Sequence, residues 1–265
     1  MFGTSAISQP TLPAVGLYAA LEKTRDRQFA QFVKQPGVAR EVAYFKENIG
    51  NVKSLDDFTK NYRLMKFALT AFQLEEKSDA PGFMKKILGQ SLDDDEAFVN
   101  RMIDPRFKDM AKAFDFAGQG VARLSDPAVI NKVVDGYLTN EFEKYMGNSN
   151  PAMREAMYFK RMAGGVKNAY QILANKVMLS VVQTTLGLPK EMAYLKVEKQ
   201  AQMIEKKLDV AKLSDPRFVD NFIRRFVAQS DLQSSQAALG PANMVSLIQP
   251  LSANPFLGNN VNLSV

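Results

Sequence analysis

The sequence repeats itself. Residues Glu41–Leu74 and Glu155–Leu188 align without a gap at a constant offset of 114, with 10 identities in 34 positions; ordinary composition gives roughly two. Tyr44/Tyr158, Phe45/Phe159, Lys46/Lys160, Gly50/Gly164, Val52/Val166 and Lys53/Lys167 are among the identical pairs. Asp104-Pro105-Arg106-Phe107 recurs as Asp215-Pro216-Arg217-Phe218. Upstream, Leu17, Leu21, Phe29, Phe32 and Val33 match Ile130, Val134, Phe142, Tyr145 and Met146 at an offset of 113. A repeat constrains the fold more than any other feature, because both copies must bury the same faces with the same elements. The expected organisation is an uncharged segment 1–12, helical copies 13–125 and 126–231, and an uncharged tail 232–265.

Each copy reads as helices. Leu55, Phe58, Tyr62, Met65, Leu69 and Phe72 recur at spacings of three and four, which predicts one amphipathic helix of roughly 20 residues. Ser54 with Asp57 three residues later resembles a capping box. The equivalent stretch of the second copy, Val177–Val182, is apolar nearly all round, as for a helix buried on several sides. Asp104-Pro105, Asp126-Pro127 and Asp215-Pro216 each precede an amphipathic run; Asp can cap free amides, and Pro at the first helical position loses no hydrogen bond. No stretch alternates apolar and polar residues beside a tight turn, so the expected fold is all-α.

Composition narrows the chemistry. Among 265 residues there is no His, Cys or Trp, which excludes disulfides, thiolate or imidazole metal sites and a Ser-His-Asp triad. The net charge of +6 is spread in doublets such as Lys85-Lys86 and Arg224-Arg225, unlike the dense clusters of a nucleic-acid face. All charges fall between Glu22 and Asp231. The N-terminus lacks a basic region and a continuous apolar core, and the C-terminus is broken by Pro241, Pro250 and Pro255. The expectation is a soluble protein without a cleaved signal peptide or membrane span.

Candidate sites are few. Asp93-Asp94-Asp95-Glu96 is the densest acidic run, but consecutive acids lack the alternating ligands of a calcium loop and suit a first helical turn. Gly118 and Gly120 read as a helix end, and Gly164 as a turn between helices; neither cluster fits a phosphate loop. The Tyr44-Phe45-Lys46 and Tyr158-Phe159-Lys160 pairs read as aromatics in equivalent core sites with a lysine at the edge, or else as a binding patch made twice. No catalytic residue, metal ligand or cofactor is expected. The tail holds spaced apolar groups, Met244, Leu247, Ile248, Leu251, Phe256 and Leu257, which are the expected partner-binding residues.

The stretch Asn61–Leu74, with Tyr44-Phe45, Val52-Lys53-Ser54-Leu55 and Asp104-Pro105-Arg106-Phe107, resembles the bacterial domain-of-unknown-function family twelve-seventeen. The likeness runs over roughly residues 15–235. Members carry a similar Tyr-Phe pair, a helix reading Asp-x-Arg-Leu-Leu-x-x-Ala-Leu-x-Ala-Phe-Gly-Leu and an Asp-Pro-Arg-Phe element. This chain has Asn61 for the Asp and Gln73 for the Gly; the second copy restores the Gly as Gly187. The resemblance implies no activity. It implies an association with flagellar genes, and hence protein partners that are flagellar components or further copies of this chain. The first expectation is a non-enzymatic flagellar protein, structural or assisting assembly, in the flagellum or the cytoplasm. The second is a cytosolic export chaperone or regulator that takes an amphipathic partner helix. The third is an enzyme using carboxylates or lysine alone.

Overall fold

The computed structural model describes residues 12–238. Among these residues every regular element is helical. In chain order they are α1 (Ala14–Phe32), α2 (Pro36–Asn48), α3 (Leu55–Lys60), α4 (Tyr62–Ala71), α5 (Pro81–Leu88), α6 (Pro105–Phe114), α7 (Phe116–Gln119), α8 (Pro127–Gly147), α9 (Pro151–Met162), α10 (Ala169–Ala174), α11 (Lys176–Leu186), α12 (Val197–Glu205) and α13 (Pro216–Ala238). Short 3-10 turns join several of them. No helix among the described residues is long and apolar enough to cross a membrane.

Local chemistry sets most helix starts. The three Asp-Pro pairs open α6, α8 and α13, and in each the Asp carboxylate accepts from the amide two residues on, at 3.0, 2.9 and 2.9 Å. Ser54 Oγ accepts from the Asp57 amide at 3.0 Å, and the Asp57 carboxylate accepts in return from the Lys53 amide at 3.3 Å. Asn168 and Gln171 make the same two bonds before α10, at 3.0 and 2.7 Å. Each such cap contributes about 1 kcal/mol.

The single long helix expected over 55–72 is two helices. Asn61 leaves the helical region at φ −79°, ψ 89°, ending α3, and its side chain accepts from the Leu64 amide to start α4. This local bond competes with helix continuation. The break also resets the stripe: Phe58, Met65 and Leu69 are buried, while Tyr62 faces solvent. The acidic run 93–96 lies in turns before a 3-10 segment (Phe98–Arg101), not in a helix. The left-handed residue after α6 is Asp115, with φ 45°; Gly118 lies inside α7, and Gly120, at φ 57°, follows it.

Two apolar clusters form the core. One is built from residues 45–137, with Phe45, Phe58, Met84, Phe107 and Phe114 among its buried members. The other combines α1 with residues 142–227, including Tyr18, Phe32, Phe159, Val181 and Phe226. Phe45 and Phe159 are both fully buried, so the paired aromatics fill core sites. Phe67 stacks between Phe45 at 4.3 Å and Tyr137 at 3.8 Å, and each such pair adds about 0.5–1.5 kcal/mol beyond burial. Phe107 is buried, but Phe218 is only half-buried, resting on Phe222 at 5.9 Å.

Helix α8 belongs to both clusters. Val129, Val133, Val134 and Tyr137 enter the first, and Phe142 and Met146 enter the second. It passes so close to α4 that a Cβ at Gly136 would lie 2.7 Å from the Ala71 carbonyl oxygen, which requires glycine there. At the other edge, α1 lies along α13, and the Asp231 carboxylate accepts from the Ala14 and Val15 amides at 2.8 and 3.0 Å. Asp231, the last charged residue of the sequence, thus caps α1.

Candidate functional site

Where the two clusters meet, the packing turns polar. The chain after α4 and the start of α6 face α8, α9 and the start of α11 across a cleft of about 680 Å³. Pockets of this size commonly form where two packed units meet. The first side supplies Gln73, Glu75, Glu76 and Arg106; the second supplies Asn140, Lys144, Glu155, Tyr158 and Asn175.

Gln73 is the pivot. It is buried and left-handed, with φ 59°, a conformation that costs a non-glycine residue about 1–2 kcal/mol. Its carbonyl accepts from Arg106 Nη1. With its amide oxygen oriented toward the only donors in reach, it accepts from Arg161, 2.7 Å from Nη1. The strain therefore persists because two arginines hold the residue from opposite sides.

Both arginines are tied to acids. Arg161 grips the fully buried Glu143 carboxylate in a fork, at 2.8 and 3.0 Å. Burial pushes the Glu143 carboxyl above the usual range, and Arg161 opposes that rise. Arg106 pairs with Asp104 at 2.7 Å and reaches Glu76 at 3.4 Å. Burial alone would lower the Arg106 pKa, but the bond and charge of Asp104 outweigh it and raise it. One residue, Asp104, thus both caps α6 and anchors the seam.

The remaining groups are matched in the same way. Asn140, buried on α8, donates to the Thr70 carbonyl at 3.0 Å. Asn175 Oδ1 accepts from the Val177 and Met178 amides, both at 3.1 Å, while its Nδ2 donates to the Tyr158 hydroxyl. Burial raises the Tyr158 phenol above its ordinary pKa. Lys144 joins Glu75, at 2.7 Å, and Glu141. Glu155 accepts from Ser180 Oγ at 3.1 Å, makes no ion pair among the described residues, and is pushed up in pKa by burial. Satisfied buried networks of this kind fix one arrangement of the elements that share them.

Part of this seam is marked in the sequence. Tyr158 stands in it, whereas Tyr44 lies under the Arg63 guanidinium at 3.7 Å, away from the cleft. Gln73 was visible as a departure from glycine; Glu143, Arg161, Arg106 and Asn140 carried no spacing signal. Met244, Leu247, Ile248, Leu251, Phe256 and Leu257 lie outside the described residues. The described residues hold no group of three or more acids placed to hold a metal ion.

A second surface feature lies beyond the seam. Residues 193–199, ahead of and into α12, are all exposed. Tyr194 is 91% exposed, with Leu195 at 47% and Val197 at 45%.

The model of a family described as protein of unknown function (DUF1217) matches residues 71–219, more than half of the chain. The crystal structure of protein AGR_C_984 from Agrobacterium tumefaciens is similar, with a TM-score of 0.73 and 34% identity. That match covers 85% of this chain and 97% of that one. No curated protein matches.

Proposed function

Given that the chain belongs to the family of proteins of unknown function DUF1217, we propose that it is a non-enzymatic helical protein that acts by protein–protein contact at the bacterial flagellum, as a component or in assembly. The flagellar part rests on what the family resemblance implies. The contact part rests on the exposed run at 193–199: a phenol ring left 91% accessible beside Leu195 and Val197 is the kind of apolar surface that marks an interaction site. Tyrosine is also among the residues that dominate binding energy at interfaces. The seam supports the same reading, since its polar groups are bonded to one another and serve to hold a rigid body. The tail residues Met244, Leu247, Ile248, Leu251, Phe256 and Leu257 supply further contacts in this proposal.

We also read the body as a tandem duplication, residues 13–125 and 126–231. The order helix, 3-10 turn, short helix, longer helix occurs at 36–71 and again at 151–186. Matching caps at Ser54 and Asn168, matching breaks at Asn61 and Asn175, and left-handed residues at Gln73 and Gly187, both with φ 59°, support it.

The test is Tyr194→Ser combined with Leu195→Ser in the full chain. Both side chains are exposed, so the melting temperature should hold, while co-purification with flagellar basal bodies should be lost. Unchanged co-purification sinks the assignment of this surface. A wild-type protein found only in the cytosol, bound to a partner helix, favours the chaperone or regulator reading instead.

A further inference from the structure

Beside the seam, α4 and α8 enclose a second cleft, of about 460 Å³. Arg63, Phe67 and Thr70 on α4, and Tyr137, Glu141 and Lys144 on α8, recur at spacings of three and four and so share the facing sides of the two helices. The rings of Tyr137 and Phe67, stacked at 3.8 Å, form its middle. Acids stand at both ends. Glu41 of α2 holds Arg63 through both oxygens, each at 3.0 Å. Glu75 and Glu141 share Lys144 at the other end. Lys66 is exposed at the rim, 5.8 Å from the Tyr62 ring.

Two hydroxyls between these ends are unspent. Tyr137 is 8% exposed and Thr70 2%, yet neither hydroxyl makes a hydrogen bond among the described residues, and neither is sealed from the cleft. The other buried threonines, Thr59 and Thr185, bond the carbonyl four residues back, at 3.0 and 2.7 Å. Burial first, and then the charges of Glu141, Glu41 and Glu75, push the Tyr137 phenol well above its ordinary pKa, against a smaller pull from Arg63. The phenol therefore stays neutral in a negative field. Three carboxylates against Arg63 and Lys144 leave one negative charge within the cleft, and each carboxylate is still partly exposed and able to accept a further donor.

A hydroxyl oxygen can accept as well as donate, so acceptors line the cleft from end to end. We propose that it binds a linear polyamine of the spermidine class, with its terminal ammoniums at Glu41 and at Glu75 and Glu141 and its inner one at the Tyr137 and Thr70 oxygens. Arg63 and Thr70 are seven residues apart on α4, about 10 Å, which is the reach of such a chain and beyond that of a single ammonium. The apolar edges of Tyr137 and Phe67 suit the methylenes between the charges. The volume is that of a small-molecule site. The cleft makes no use of the surface at 193–199 and does not depend on the assembly reading.

Titration of the purified full chain with spermidine, read by calorimetry and thermal melting, tests this. Spermidine should bind saturably and raise the melting temperature, and n-butylamine, with one ammonium, should bind at least about tenfold more weakly. Magnesium chloride at equal charge concentration should give no such shift. Tyr137→Phe keeps the ring stack and should weaken spermidine about tenfold. Without ligand it should melt no lower than wild type, because the hydroxyl it removes has no partner. Glu141→Gln should weaken binding about as much as Tyr137→Phe. Lys66→Glu, at an exposed position, should tighten binding about threefold, the sign that a cation site requires. The proposal is overturned if spermidine fails to saturate, if butylamine or magnesium does as well, if Tyr137→Phe leaves the affinity unchanged, or if Lys66→Glu does not tighten it. A lower melting point for ligand-free Tyr137→Phe would show that the hydroxyl is already bonded and would overturn it equally.

Discussion

Gln73→Gly sets two effects of opposite sign against each other at one residue. Glycine adopts φ 59° freely, so the substitution removes a backbone cost of about 1–2 kcal/mol. It also removes the amide that faces Arg161, a bond to a charged group worth about 1.5–3 kcal/mol, and two buried methylenes at about 0.8 kcal/mol each. The losses exceed the gain, and the net expectation is destabilisation by about 2 kcal/mol, or roughly 4–8 °C in melting temperature for a body of this size. Gly187→Ala is the counterpart. No atom lies within 4 Å of a Cβ built there, so its cost is backbone strain alone, about 1–2 kcal/mol. Urea denaturation followed by far-ultraviolet circular dichroism measures both, since the chain has no Trp to report by fluorescence. A double-mutant cycle of Gln73→Gly with Arg161→Met isolates the bond and should show coupling above about 1 kcal/mol. If Gln73→Gly is more stable than wild type, or if the cycle shows no coupling, the amide contributes nothing and the account of the seam fails.

Other expectations follow from the same geometry. Asn175→Ala leaves two α11 amides and the Tyr158 hydroxyl without their partner, and should cost about 1–2 kcal/mol in the same denaturation assay. Phe159→Ala should cost about 3–5 kcal/mol, and Phe218→Ala, at a half-buried ring, distinctly less; equal losses would contradict the burial difference. Glu155 has a folded-state pKa raised by burial, so the folded state favours its protonated form. Its contribution is fully present below the unfolded pKa and is lost as pH rises through the folded one. Glu155→Gln, which can still accept from Ser180, should therefore melt higher than wild type at pH 7 and flatten that acid-side slope; a lower melting temperature at pH 7 would refute this.

The elements legible in the sequence were those set by neighbours along the chain. Asp-Pro fixes a helix start within three residues, so all three starts were readable. Asn61 was harder, because apolar spacing of three and four runs straight through the break; its recurrence as Asn175 was the available clue, since only a side chain that caps the next helix needs repeating there. Gln73 stood out against the glycine at Gly187, yet its reason lay in two arginines brought from α6 and α9. Glu143 and Arg161 are 18 positions apart on different helices, and nothing in either local sequence marks them as partners. Phe218 matched Phe107 by motif and differs in burial because Phe107 is covered by Phe83 of α5, at 5.5 Å, whereas the aromatic neighbour of Phe218 is Phe222 on its own helix.

The cap that Asp231 places on α1 joins residues 217 positions apart, and this has a consequence during synthesis. At about 5–20 residues per second, roughly 10–40 s pass between translation of α1 and arrival of its cap. The cluster made from residues 45–137 is contiguous in the chain and can close while α1 is still waiting. Throughout that interval α1 has no complete α13 of its own chain to lie along, and α9 is present only for the last part of it.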